Sequence, residues 1–312
     1  MPKISILCLL ILMLSGAIIL LEQSHKDASV FYIEGDDLFK VADSTGAFRF
    51  AKIAFALVDA VPQWKARIRT GEYAVSQGDI VIDVLKRMFS GQRVRHKFTI
   101  PPGWTVMKVI NKIQNDNLLL GSISSVPAEG ALMPDTYYYY FGDSKDSIIQ
   151  KAKHQMQVVI TNLGKYVENS GLTLSVILTI ASIIEKETSS DVERAIVSSV
   201  YHNRLRKGMK LESCPTVIYA ISGGSGEIHR DLTREDLKFE SKFNTYRNKG
   251  LPPTPICCPC EKSIIAAANP ASTEYMFFVA KPHGDCHNFA KTYSEHLKNV
   301  KALRAKRNVE GR

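Results

Sequence analysis

Two glutamates, Glu185 and Glu187, stand in the stretch ASIIEKETSSDVERAIVSSVYHNRLRKG that runs from Ala181 to Gly208. Burial in so apolar a setting can keep a carboxyl group protonated near neutral pH, and a protonated carboxyl is what a general acid needs. From Leu174 to Thr188 the pattern predicts a helix, with Ser175, Thr179, Ser182 and Lys186 recurring at helical spacing as one polar stripe. At about 100° per residue, Glu185 falls among Leu174, Leu178 and Ala181, and Glu187 beside Val176, Ile180 and Ile183. Periodicity does not choose between the two, and a glutamate that simply ends a helix is ordinary.

The 312 residues around this pair are enough for more than one compact unit. An internal near-repeat, EYAVSQGDIVIDVLKRM from Glu72 and KFTIPPGWTVMKVINKI from Lys97, reads twice as a short strand, a glycine turn and an amphipathic helix. A weaker third version begins at Phe31. Leu118 to Glu129 is rich in glycine and serine and loses periodicity, which predicts a boundary. Near the C-terminus a strand at Tyr275–Ala280, a turn through Lys281–Asp285, a return strand at His287–Ala290 and a helix from Thr292 are expected. The chain reads as α+β throughout.

An apolar run from Ile4 to Leu21, after Lys3 and before the polar EQSHKD, is close to the ~20 residues a spanning helix needs. It exceeds the usual signal-peptide core and no A-x-A-like cleavage site follows, so a single N-terminal anchor at 1–23 is expected, with cleavage as the competing reading. Lys and Arg outnumber Asp and Glu 40 to 31, a net +9 that suits a wall polymer or an anionic membrane, or is only a basic surface. No nucleic-acid-binding signature is present, so no nucleic-acid partner is expected. Beyond Cys8, the cysteines are Cys214, Cys257, Cys258, Cys260 and Cys286, an odd set that leaves at least one thiol without an intrachain partner. Their spacing fits no standard zinc site, and no metal is expected.

The segment from Ala181 to Ile221 resembles the signature of the MltG/YceG-like endolytic murein transglycosylases. The resemblance continues upstream in MPDTYYYYFG at Met133–Gly142, then in FNTYRNKGLPP at Phe243–Pro253, SIIAAANPASTEYMFFVA at Ser263–Ala280 and HNFAKTYSEH at His287–His296. It implies a LysM-like α+β module over 30–117, read as glycan-binding or as a spacer, and an α+β catalytic domain over 130–306. The implied activity is cleavage of the MurNAc–GlcNAc bond of nascent peptidoglycan without water: the muramoyl C6 hydroxyl attacks C1 and leaves a 1,6-anhydro end. One carboxyl can serve as acid and then as base, unlike the paired carboxylates of ordinary glycosidases.

The resemblance puts that carboxyl on Glu185, with Glu187 second, and makes Asn203, Arg204, Thr216, Tyr219, Asn244, Thr245 and Tyr246 candidate substrate contacts. No cofactor is implied. The implied setting is the inner membrane with the catalytic domain on its periplasmic side, and the implied partners are glycan strands, the cell membrane and peptidoglycan synthases. Two departures stand out. Cys214 occupies the family's Asp position before Pro-Thr-Val, where an N-cap is expected, and Cys258 and Cys260 stand where Asn and Gly are common. A non-catalytic, membrane-anchored glycan-binding scaffold of the same fold is the alternative.

Overall fold

A computed structural model of the chain describes residues 29–33, 68–69, 71–76, 79, 81–281 and 286–310. The expected N-terminal anchor lies outside these residues, as does most of the weaker third repeat. None of the described helices is by itself long and apolar enough to cross a membrane. The chain divides into two compact units. One contains the N-terminal part through Lys97 with Leu118–Leu120 and Tyr138–Asp143, and the other contains Phe98–Asn117, Gly121–Tyr137 and everything from Ser144 onward.

In the first unit, strands β1 (Ser29–Ile33) and β2 (Gly71–Val75) pair antiparallel, Ser29 opposite Val75 and Ile33 opposite Gly71. Helix α1 (Val81–Ser90) follows, anchored by its Arg87, which donates to Asp79 and to the Ala74 carbonyl. The first repeat copy is therefore β2 plus α1. The second is β3 (His96–Thr99), which pairs with β4 (Thr136–Tyr139), followed by α2 (Val106–Gln114), whose N-cap Thr105 accepts from the Lys108 amide. Helix α2 belongs to the second unit, because backbone bonds from Gly103 to Cys258 and from Cys258 to Trp104 tie the turn before it to the C-terminal half.

The second unit is built on helices α3 (Lys145–Asn162), α4 (Gly164–Ser170), α5 (Leu174–Glu187), α6 (Asp191–Arg206), α7 (Cys214–Ile221) and α8 (Glu261–Ala268). The antiparallel pair β5 (Phe277–Ala280) and β6 (His287–Ala290) follows, then α9 (Tyr293–Glu310). Helix α5 is the centre of the core: Ile177, Ile180, Ala181, Ile183 and Ile184 are buried against Val197, Tyr201 and Ile264, among others. Thr173 caps its start by accepting from the Val176 amide, and the chain turns extended at Thr188 to end it at Glu187.

Within the polar stripe of α5, Ser175 and Lys186 are exposed whereas Thr179 and Ser182 are buried. Their hydroxyls donate back to the carbonyls of Ser175 and Thr179, which hides their polarity inside the core, and Ser182 Oγ also accepts from the Ile256 amide. Cys214 is not the N-cap of α7; Ser213 is, and its hydroxyl is directed to Glu187 instead of to the helix end.

Candidate active site

Residues two apart on a helix point about 200° apart, so α5 sends its last two glutamates into different surroundings. Glu185 Oε2 accepts the Cys260 amide at 2.9 Å, at the start of α8, and Oε1 lies 3.5 Å from Arg194 Nη1. Arg194 is itself buried and also donates to Ser263 Oγ at 2.8 Å, to the carbonyls of Thr188 and Ser189, and to Asp191. Glu185 thus ties α5, α6 and α8 together.

Glu187 faces a cavity of about 290 Å³. Tyr201 and Arg204 of α6, Cys214 at the start of α7, Tyr246, the β5 residues Phe278–Ala280 and His287 at the start of β6 also line it. Glu187 Oε1 accepts from Tyr201 Oη at 2.9 Å and from Ser213 Oγ at 2.6 Å, and Oε2 bonds to no described residue. Burial pushes this carboxyl above the usual carboxylate range; the hydrogen bonds from Ser213 and Tyr201 and the Arg204 charge oppose that rise without cancelling it. Arg204 stays close because the carbonyls of Met276, Lys210 and Leu211 hold its guanidinium. The site therefore presents a cavity with an apolar wall at Phe278–Ala280, a carboxyl that burial pushes toward its protonated form and a fixed positive charge beside it.

Of the residues singled out in the sequence as substrate contacts, Arg204 and Tyr246 line this cavity, the Tyr246 hydroxyl 3.1 Å from Cys214 Sγ. The others hold the frame. Asn203 donates to the carbonyls of Thr273 and Tyr275, which positions the start of β5. Asn244 is fully buried, donating to the carbonyls of Leu237 and Phe239. Thr216 and Thr245 bond each other at 2.8 Å, and Thr245 Oγ1 accepts the Ser213 amide, which fixes the residue that in turn reaches Glu187. Tyr201 and Ser213, which bond Glu187, and His287, which lines the cavity, are positions that pattern reading did not name as site residues. The cysteines Cys214, Cys257, Cys258, Cys260 and Cys286 are all free thiols, and among the described residues no cluster of His, Cys, Asp or Glu could hold a metal ion.

Tyr219 belongs to a different contact. Its hydroxyl donates to Glu129 Oε2 at 3.3 Å, while Glu129 Oε1 accepts the Val106 amide at 2.9 Å, joining the starts of α2 and α7's far turn. Gly130 lets the chain pass there: it has φ +78°, and a Cβ would meet Pro255 at 2.8 Å. Burial pushes the Glu129 carboxyl up to about 7 from an ordinary 4.5. The folded protein therefore holds this proton over a range in which the unfolded chain has lost it, so stability falls as pH rises from about 4.5 to about 7 and then levels off. The cost is at most about 3 kcal/mol by linkage. Glu129→Gln should flatten that segment of the stability–pH curve; denaturant unfolding at pH 5 and pH 8 checks it, and a mutant curve parallel to wild type would refute the assignment.

Comparison with known proteins places this geometry in context. The model of the YceG-like family matches residues 34–302. A protein of Bacillus subtilis (strain 168), named endolytic murein transglycosylase, is 35% identical over 192 residues, which is 61% of this chain and 50% of that protein. One of the same name from Streptococcus pneumoniae serotype 2 (strain D39 / NCTC 7466) is 24% identical over 277 residues, 75% of this chain and 50% of that protein. The chain thus spans about half the length of the curated relatives it matches. The crystal structure of a putative YceG-like protein from Listeria monocytogenes superposes with a TM-score of 0.58 at 30% identity, covering 80% of this chain and 89% of that one.

Proposed function

The chain belongs to the YceG-like family, and on that premise we propose that it is an endolytic lytic transglycosylase of peptidoglycan, with Glu187 as its acid–base carboxyl. The observation that carries this reading is the burial of Glu187 at the cavity between Tyr201 and Ser213. The resemblance alone pointed to Glu185 first; the Arg194 and Cys260 contacts, which occupy both oxygens of Glu185 away from the cavity, favour Glu187.

In this reading the protonated Glu187 carboxyl donates to the glycosidic oxygen as the C1–O bond of the muramoyl residue breaks, and the resulting carboxylate faces the positive charge that develops at C1. Tyr201 and Ser213 keep Oε1 in place, so Oε2 is the oxygen available to the sugar. The muramoyl O6 then closes on C1, gives its proton to the Glu187 carboxylate and leaves a 1,6-anhydro end. The apolar walls from Phe278, Val279 and Ala280 favour that internal closure over attack by water.

The run Ile4–Leu21 supports a membrane-anchored enzyme working outside the cytoplasm on nascent strands, next to the peptidoglycan synthases that make them. The repeat copies support a LysM-like, glycan-binding N-terminal module. The purified full chain in mild detergent, mixed with isolated sacculi, should release long internal fragments and shorten the remaining strands, as strand-length chromatography would read. Release only of terminal disaccharides would contradict the endolytic part, and no release at all would favour the binding scaffold.

A further inference from the structure

Glu187 shares its cavity with a second group of acid–base character. His287 opens β6, and Glu193 of α6 holds it at two points: the His287 backbone amide donates to Glu193 Oε1 at 2.8 Å, and Nδ1 lies 2.8 Å from Oε2. Both side chains are nearly buried, 12% and 9% exposed. Phe278 meets the imidazole edge-on at 5.2 Å, which fixes the plane of the ring. A Glu193 carboxylate that accepts at both oxygens requires the hydrogen on Nδ1, and this leaves the lone pair on Nε2. Nε2 bonds to no described residue, and the ring lines the cavity.

The other titratable and charged groups around the cavity are unsuited to receiving a proton. Arg204 is a permanent cation, and Glu212 at the rim is ion-paired to it at 3.1 Å. Tyr201 donates to Glu187, and Tyr246 shares a hydrogen bond with Cys214. Burial pushes all three of these groups upward, which keeps them protonated.

We propose that His287, oriented by Glu193, is the second acid–base residue of this site and takes the proton of the muramoyl C6 hydroxyl as O6 bonds to C1. The proposal rests on the reading of the cavity as a transglycosylase site and divides between two residues the work otherwise given to one carboxyl. Glu187 gives its proton to the leaving oxygen as the C1–O bond breaks. The O6–C1 bond forms with loss of the O6 proton to Nε2, and the imidazolium is stabilised by the Glu193 carboxylate. Transfer of that proton from Nε2 to the Glu187 carboxylate, through the cavity, restores the starting state, and no water is consumed.

The test is the pH dependence of kcat/KM for the full chain on purified glycan strands. Wild type should give a bell whose two limbs belong to the Glu187–His287 pair, one needed as acid and one as base. His287→Gln should lose about 10²-fold or more in kcat, with KM little changed, and its acid-side fall should vanish. Glu193→Gln should keep part of the rate, because Nε2 remains in the cavity while the ring loses the carboxylate that orients it. Added imidazole should restore part of the rate to a folded His287→Ala variant. A His287→Gln enzyme with wild-type rate, or a slow one with an unchanged acid side, overturns the proposal. A Glu187→Gln enzyme that stays active would instead overturn the reading on which the proposal rests.

Discussion

Glu187→Gln should abolish cleavage, with a loss of at least the 10²–10⁴-fold that a positioned acid–base group contributes. Glutamine keeps the shape of the side chain, and its carbonyl can still accept from Tyr201 and Ser213, but it has no proton to give. The fold should not suffer. Burial raises this carboxyl, so the folded state of the wild type carries a penalty above the ordinary carboxylate range, where the unfolded chain has already ionised. An amide removes that penalty, and the mutant should melt at or above the wild-type temperature at pH 8. Glu185→Gln is the control. It weakens the contacts to Cys260 and Arg194, should cost on the order of 1–2 kcal/mol, and should leave turnover within about tenfold. If Glu185→Gln were dead and Glu187→Gln active, the roles assigned to the two glutamates would be reversed.

The largest effect on stability should come from Arg194→Met. The guanidinium is 9% exposed and serves Ser263, Thr188, Ser189 and Asp191 as well as Glu185. Methionine fills some of the volume but leaves the Glu185 carboxylate buried without its cation, a loss of about 3–5 kcal/mol for a broken buried pair. Lysine should not rescue it, because a single ammonium cannot reach acceptors spread over three helix ends. Removing the stranded charge as well, in Arg194→Met with Glu185→Gln, should recover part of the loss. Urea unfolding of the four proteins gives the coupling; a single-mutant cost below about 1 kcal/mol would show that the network does not hold α5, α6 and α8 together.

Local pattern made several elements legible. The apolar spacing from Leu174 and the strand–turn–helix copies at Glu72 and Lys97 are properties of short stretches, and the helices and strands formed where those stretches predicted them. The roles of the two glutamates were not legible. Glu185 and Glu187 differ through Cys260 and Arg194 on one side and Tyr201 and Ser213 on the other, and those partners lie on elements that local periodicity does not connect. For the same reason a buried tie and a substrate contact look alike in sequence. Asn203, Asn244, Thr216 and Thr245 are polar residues in a sugar-site pattern, yet they spend their hydrogen bonds on backbone, on another buried hydroxyl or, for the Asn203 carbonyl oxygen, on Arg206. His287 was hidden because its significance comes from Glu193, on a helix that ends far from it in the chain.

The most direct test of the central claim is mass spectrometry of the new muramoyl ends from a digest run in heavy-oxygen water. If Glu187 cleaves the bond in a cavity that favours closure by O6, wild-type products should carry 1,6-anhydro ends, lighter by one water than hydrolytic ends and free of the heavy isotope, and Glu187→Gln should form none. Heavy oxygen at the muramoyl C1 of the products would contradict the account, because water and not the sugar's own hydroxyl would then have made the cut.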